Sequence, residues 1–538
     1  MGPRRIAATL LGTLLAAACA APRPPAPAGP GAPAPGAGHW WQGAVFYEVF
    51  VRSFQDSDGD GKGDLRGLTA RLDYLNDGDP ASGGDLGVDA IWLMPVFASP
   101  SYHGYDVIDY ERVNPDYGTN QDLDRLVAEA HRRGIKVILD LVLNHTSDQH
   151  PWFRESASSP RSPRRDWYLW SPTDPGWRQP WNPNGSTWHE RNGAFYYGLF
   201  WRGMPDLNFR NEAVRAEAKR IAASWLARGV DGFRLDAIRH LVETGPGAGQ
   251  SGSPENHVFL RELAAAVRAV SSEAVLVGEV WSSTDDIAAY YGTGGDELQL
   301  LFDFPLADAI VDGVLGGSAD GIAAALGEVL RTYPAGAVGS PFLSNHDQTR
   351  VATRLGNDAA RLGLAAAILL TLPGAPFLWQ GEEIGMQNGP GREDEWKRTP
   401  MAWDGTAGGG FTTGEPWMPF APGKETANVA AETADPASLL SRYRGLLRAR
   451  KGSAALARGD AALLPARGPV LAFLRRGGGE TVLVAHNLGA APVETAGLAA
   501  PGAAAEPLFA DPGAGLAREA GGWRAALPPR GSGAWRLR

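Results

Sequence analysis

Cysteine is nearly absent from this chain, basic charge is in deficit, and no long apolar run crosses its body. A single cysteine in 538 residues, Cys19, excludes an internal disulfide. With 50 Lys and Arg against 60 Asp and Glu, the formal net charge is −10. The short basic run "RSPRR" (161–165) reads as a solvated loop, so no nucleic-acid partner is expected, because that binding needs a basic footprint. What is present is the composition of a globular protein, 44% hydrophobic and long enough for two or three domains. The 18 tryptophans serve either as core packing or as flat platforms for weakly polar ligands such as sugars.

Arg4 and Arg5 precede the apolar run 6–18, which is too short to span a bilayer as a mature helix and reads as a targeting segment. Cys19 follows directly, and residues 1–19 resemble a bacterial lipoprotein signal with Cys19 as the lipidated residue. Ala16 stands where that signal usually has leucine. Ordinary cleavage at an Ala-x-Ala site around Ala18 or Ala20 is the competing reading. Residues 20–38 are a Pro/Ala/Gly linker, an extended tether without a core. The expected location is outside the cytoplasm, lipid-anchored at the cell envelope, with full secretion or a periplasmic location as the alternative. The only membrane contact expected is through that anchor.

From residue 44, short apolar runs alternate with amphipathic helical patterns such as 121–134 and 211–229. The strand-like runs are 44–50, 88–96, 135–143, 230–238, 273–280, 298–304, 340–347 and 375–381. Near-continuous apolar strands alternating with helices predict a parallel sheet buried on both faces, and eight of them predict an α/β fold of the (β/α)₈ barrel type. The interval 145–205 is too long for a loop and reads as an inserted subdomain after the third strand. Two alternating runs in 469–488 flank a glycine turn, predicting a C-terminal antiparallel β-sandwich domain. The expected organisation is barrel at 39–144 and 206–454, insert at 145–205, and β domain at 455–538.

In such a barrel the active site lies at the C-terminal ends of the strands. Those ends here carry "DLVLNH" (140–145), "GFRLDAIRH" (232–240), "GEVW" (278–281) and "FLSNHDQTR" (342–350). One acidic strand end could be solvated or structural, but four in succession point to chemistry. These stretches resemble, in order, the four diagnostic regions of the α-amylase family of glycoside hydrolases, over about residues 40–450. "MPDLN" (204–208) and "GAPFLWQGEEIGM" (374–386) are similar to two further family stretches. The resemblance implies a retaining glycoside hydrolase with Asp236 as nucleophile, Glu279 as acid/base and Asp347 as the third carboxylate, which grips sugar hydroxyls. Arg234 lies two residues before Asp236, so on a strand both face the same way, and it is expected to hold Asp236 ionised and low in pKa. Glu279 must stay protonated near neutral pH. The resemblance also implies that His145, His346 and His103 with Tyr105 in "HGYD" contact the cleaved sugar. Trp281 is either packing or a platform.

The stretch "QDSDGDGKGDLRGL" (55–68) raises a cation question. Counted as an EF-hand from Asp56, its twelfth position is Gly67 and not the bidentate Glu required, which excludes that motif. A metal-free acidic turn remains possible on composition alone. The loop resembles the calcium loop of oligo-1,6-glucosidase-like members, which implies Asp56, Asp58, Asp60 and Asp64, with the Lys62 carbonyl, as ligands to a structural Ca²⁺.

On substrate, Ala237 after the nucleophile and the Arg239–His240 pair resemble features of enzymes that cleave internal α-1,4 bonds in starch and maltooligosaccharides. Asp106 and Arg398 cut the other way, being similar to residues that clasp a terminal glucose in exo-acting α-glucosidases and oligo-1,6-glucosidases. A non-catalytic glycan-binding relative is the third reading, disfavoured because all three acids are present. The protein is read as a monomer.

Overall fold

The computed structural model describes residues 38–465 and 468–538, and Trp40–Arg538 forms one compact unit. Cys19 and nearly all of the Pro/Ala/Gly linker lie outside the described residues. Eight parallel strands run in chain order around one sheet: β1 Phe46–Val49, β2 Ala90–Leu93, β3 Lys136–Leu141, β4 Gly232–Leu235, β5 Val275–Gly278, β6 Leu300–Phe302, β7 Val338–Ser340 and β8 Phe377–Trp379. β8 pairs back onto β1 with Phe46 opposite Phe377. Backbone bonds from Ala375 N to Gly339 O (2.9 Å) and Phe377 N to Pro341 O (3.0 Å) tie β7 to β8 and close the barrel.

Seven of the expected runs contain their strands, whereas β7 ends at Ser340 and shares only that residue with 340–347. Pro341 has no N–H to give the ladder. The apolar residues after it fill the barrel mouth, with Phe342 buried against Phe302 and Phe304.

The period of two along each strand decides what the barrel interior contains. Phe46, Ala90, Trp92, Ile138, Val275, Val277, Leu300 and Phe302 point inward and form one buried cluster, with the Phe46 and Phe377 rings stacked 4.4 Å apart. The outward residues Tyr47, Ile91, Leu139, Phe233 and Leu276 meet the surrounding helices. Two residues beyond the inward apolar layer, the same rows present Glu48, Asp140 and Arg234, all buried. Continuing the β4 row by two more residues brings Asp236 to the mouth.

The helices that cover the barrel include Asn120–Arg132 and Glu212–Ala227. The first starts at a Thr119/Asp122 capping box and the second at Asn211, whose side chain accepts from Ala213 N. The segment after β3 carries a helix, Pro151–Ser158, a three-stranded sheet and a hairpin of Arg178–Gln179 with Asn182–Ser186. Bridges His145–Asp206 and Tyr168–Leu207 join its two ends.

Beyond the barrel, eight antiparallel strands form two sheets. They are β9 Asp460–Leu463, β10 Val470–Gly477, β11 Glu480–Asn487, β12 Val493–Leu498, β13 Ala505–Ala510, β14 Gly515–Glu519, β15 Gly522–Leu527 and β16 Ser532–Leu537. One sheet has the order β9-β10-β11-β16-β13 and the other β12-β15-β14. Leu474, Leu483 and Trp535 of the first meet Leu498, Trp523 and Leu527 of the second in a shared core. Among the described residues, no helix is long and apolar enough to cross a membrane.

Candidate active site

Arg234 is the hub of the barrel mouth, only 1% exposed. Its Nη1 donates to Asp236 Oδ1 at 2.7 Å and to both oxygens of Asp140 at 3.0 Å, while Nη2 lies 3.0 Å from Glu279 Oε2. Its guanidinium carbon sits 5.1 Å from the Trp92 ring centre, so the apolar layer below supports the cation. One planar fork thus orients three carboxylates from three adjacent strands, a task a point charge could not perform.

Burial pushes the Asp236 carboxyl above the ordinary aspartate range; Arg234 opposes this and Asp347 adds to it. The expectation that Arg234 holds Asp236 low is therefore corrected: at a buried site, desolvation outweighs the adjacent cation. Glu279 is raised by burial, held back by Arg234 and pushed up by Asp236 and Asp347. Asp347 goes the other way. Burial would raise it, but His346, Arg398 and Arg234 hold it far below the usual range. Its oxygens meet Arg398 Nη2 at 2.8 Å and His346 Nε2 at 3.1 Å.

His346 is fully buried, with Nδ1 2.5 Å from Glu48 Oε1 and Nε2 2.7 Å from the Tyr105 hydroxyl. Burial lowers its pKa, but Asp347 and Glu48 raise it further, to about 9. Tyr105 also donates to Asp140 at 3.0 Å and stacks on the His346 ring 5.5 Å away. His103 Nδ1 accepts from Tyr105 N at 3.1 Å. Burial lowers His145 to about 4, and among the described residues its Nε2 has no hydrogen-bond partner.

Two cavities meet at the acids. A cavity of about 350 Å³ is lined by Tyr102, His103, Tyr105, His145 and Arg398. A second, of about 750 Å³, is lined by Pro180, Trp181, Arg239, His240 and Ser251. Ala237, Glu279, Trp281, Asp347, Phe200 and Asp394 line both. Trp181 is 54% exposed and Trp281 49%, an unusual state for so apolar a ring, and both face the larger cavity. Trp281 stacks on Phe304 at 4.6 Å. His240, lowered to about 4 by burial, donates from Nδ1 to Gln250 O at 2.8 Å.

Asp106 and Arg398 are not joined: among the described residues no ion pair links them. Asp106 accepts from Ser99 Oγ at 2.6 Å and from Ser101 Oγ, while Arg398 donates to Asp347, to His346 O at 3.0 Å and to the Tyr102 hydroxyl at 3.3 Å. Glu48, Asp140, Tyr102, Phe200, Trp181 and Asp394 were not among the candidates read from sequence. Glu48 and Asp140 had a usable signal, a carboxylate inside an apolar strand run. The other four are placed by loops and carried none.

In the loop after β1, Asp56, Asp58 and Asp64 bring oxygens within 4.8 Å of one another, a span that fits oxygen ligation of Ca²⁺. Asp60 is not in this group; its Oδ1 instead accepts from Lys62 N at 2.8 Å. Asp56 accepts from Asp58, Gly59 and Gly61 amides and from Thr412 Oγ1. Burial alone would raise it, and those donors lower it. The donor set therefore fits a hard cation through Asp56, Asp58 and Asp64.

A barrel whose strand ends gather acids beside a cleft walled by aromatic rings defines a carbohydrate-cleaving enzyme, a glycoside hydrolase. Residues 48–459 match the family described as alpha amylase, catalytic domain. The chain is 41% identical over 456 residues to alpha-amylase 3 of Dictyoglomus thermophilum, covering 84% of this chain and 85% of that one. It is 36% identical over 522 residues to an oligo-1,6-glucosidase of Heyndrickxia coagulans, covering 84% and 92%. The crystal structure of an alpha-amylase from H. orenii superposes with a TM-score of 0.83 at 37% identity, covering 92% of this chain and all of that one. The chain belongs to the α-amylase family.

Proposed function

We propose that the enzyme hydrolyses internal α-1,4-glucosidic bonds of starch and maltooligosaccharides with retention of configuration. The observation that carries this reading is the pair of cavities flanking the acids, with Asp106 and Arg398 bonded to other groups and not to each other, which leaves room for sugar on both sides of the bond to be cut. In this reading Asp236 attacks the anomeric carbon while Glu279 gives its proton to the departing oxygen. Glu279 then takes a proton from the water that releases the covalent intermediate. Arg234 keeps Asp236 and Glu279 in register, and Asp347, steadied by His346 and Arg398, grips ring hydroxyls. His103, Tyr105 and His145 line the side of the cleaved sugar. Trp181, Trp281, Arg239 and His240 line the leaving side.

Asp56, Asp58 and Asp64 would hold Ca²⁺, whose charge would offset the crowded carboxylates; both protons in the reaction are handled by Glu279. At the N-terminus, export and attachment through a lipid on Cys19 complete the reading. A Cys19→Ala chain released from the membrane fraction would support it, and one retained there would refute it.

One observation favours a second reading, exo-action as an α-glucosidase: Arg398 reaches the smaller cavity and bonds Asp347. Product analysis on starch, maltose and isomaltose separates the two. Rapid loss of iodine staining with mixed oligosaccharides is expected. Glucose released from maltose, with starch left long, would replace endo- by exo-action. Asp236→Asn should lower kcat by ~10³-fold or more, and undiminished turnover would sink the mechanism.

A further inference from the structure

Ala237 follows Asp236 with φ 50° and ψ 32°, in the left-handed region that residues bearing a Cβ rarely occupy. The other non-glycine residues with positive φ among those described are Asn192, Asn357 and Arg530, and two of these are asparagines, the side chain that best tolerates it. Ala237 differs in lining both cavities of the cleft, 6% exposed.

The strained turn has a definite geometric result. It aims the Ala237 N–H at Glu279, where it donates to Oε2 at 3.0 Å. Arg234 Nη2 lies 3.0 Å from the same oxygen. The amide's hydrogen bond and the guanidinium's ion pair both fall on Oε2, and among the described residues no hydrogen bond falls on Oε1. The neighbouring strand is shaped for this approach. A Cβ at Gly278 would lie 2.8 Å from Ile238 Cδ1 and 2.4 Å from Leu298 Cδ1, so any larger residue there would push the Ile238 and Leu298 side chains aside. Glu279 N also donates to Leu235 O at 3.2 Å, tying the two strand ends together.

An oxygen that accepts from an amide and lies against a guanidinium is the one least able to carry a proton, since a protonated carboxyl keeps its acceptor capacity chiefly on the other oxygen. We propose that Ala237 is a positioning residue whose amide, aimed by the left-handed backbone, assigns the proton of Glu279 to Oε1. The inference rests on the reading of Glu279 as acid/base. In the first step the Oε1 proton passes to the glycosidic oxygen as the C1–O bond breaks and that oxygen keeps the electron pair. In the second, Oε1 takes a proton from water as the water oxygen bonds C1 and the bond to Asp236 breaks. The charged groups facing Glu279 are Arg234 on β4, Asp236 just beyond it and Asp347 beyond β7, with Asp394, Arg398 and Arg239 lining the cavities it shares.

The test replaces Ala237 in the whole chain by L-lactate, which turns the N–H into an ester oxygen and keeps the methyl side chain. The expected result is kcat lowered about tenfold with KM little changed. The basic limb of the kcat/KM–pH profile should rise by about half to one pH unit, because a donor to the charged form is gone. Ala237→Gly keeps the N–H and removes the steric conflict, and should keep the parental limb. A lactate enzyme with parental kcat and parental limb would overturn the proposal. If the ester chain does not fold, infrared difference spectra of the parent answer instead, the Glu279 band being the one lost in Glu279→Gln. A carboxylic C=O stretch lowered by hydrogen bonding supports the assignment, and an unbonded frequency overturns it. Parental turnover by Glu279→Gln would instead remove the acid/base reading itself.

Discussion

Arg234 and His346 are single side chains on which the electrostatics of the cleft depend. Arg234 faces Asp140, Asp236 and Glu279, all withdrawn from bulk water. Arg234→Met would leave three crowded acids without a cation and should cost roughly 3–5 kcal/mol in urea unfolding at pH 7. His346 is raised to about 9 by Asp347 and Glu48 against burial, above its unfolded value of about 6.5. A group raised on folding contributes fully below its unfolded pKa and loses that contribution as pH climbs through the folded one. Stability should therefore decline between pH ~6.5 and ~9 by something on the order of 1–3 kcal/mol. His346→Gln should flatten that slope in denaturation series at several pH values, and an unchanged slope would assign the decline elsewhere.

The loop after β1 acts as one element. Asp64 caps the following helix, Leu65–Ala70, by accepting from Arg66 and Gly67 amides, while Asp56 reaches Thr412 on a distant loop. Gly61 has φ 87°, and a Cβ there would lie 1.9 Å from Glu415 O, so its glycine is required by the approach of that loop. Chelation of Ca²⁺ should lower the Tm of the parent by several degrees, because a ligand that binds only the folded state stabilises it by mass action. Asp58→Ala, which removes the exposed carboxylate of the group, should abolish the response to chelator without altering the fold. A parent melting curve indifferent to EDTA would mean that this element is a self-satisfied acidic turn.

At the scale of the whole molecule, the C-terminal sheets are joined to the barrel by buried polar contacts. Arg475 of β10 donates to Thr371 O at 2.6 Å. His486 Nε2 lies 3.0 Å from Thr371 Oγ1. Burial lowers Arg475 and holds His486 near 3, so this seam depends on a carbonyl acceptor and a neutral imidazole. Removing residues 460–538 would expose these groups together with the apolar face above them. The truncated chain should be insoluble, while the intact barrel and sheets should unfold in a single calorimetric transition. Two separated transitions would show that they fold independently.

Seven of the eight strand runs, the two long helices and the C-terminal hairpin were legible because strand and helix periods are local properties of the chain. The acids at the strand ends were legible for the same reason: a period of two places Arg234 and Asp236 on one inward row, as it does Glu48 and Asp140 in runs that hid them among apolar neighbours. The start of β7 was not legible, because glycines mask the strand and Pro341 ends its ladder where the apolar pattern continues. Tertiary structure alone decided that Asp106 turns to Ser99 and Ser101 while Arg398 turns to Asp347, and that Trp181 and Trp281 wall one cavity. It alone brought the Ala237 amide to Glu279. These outcomes depend on contacts between segments far apart in the chain, where loop paths and close backbone approach, rather than local residue preference, set the geometry.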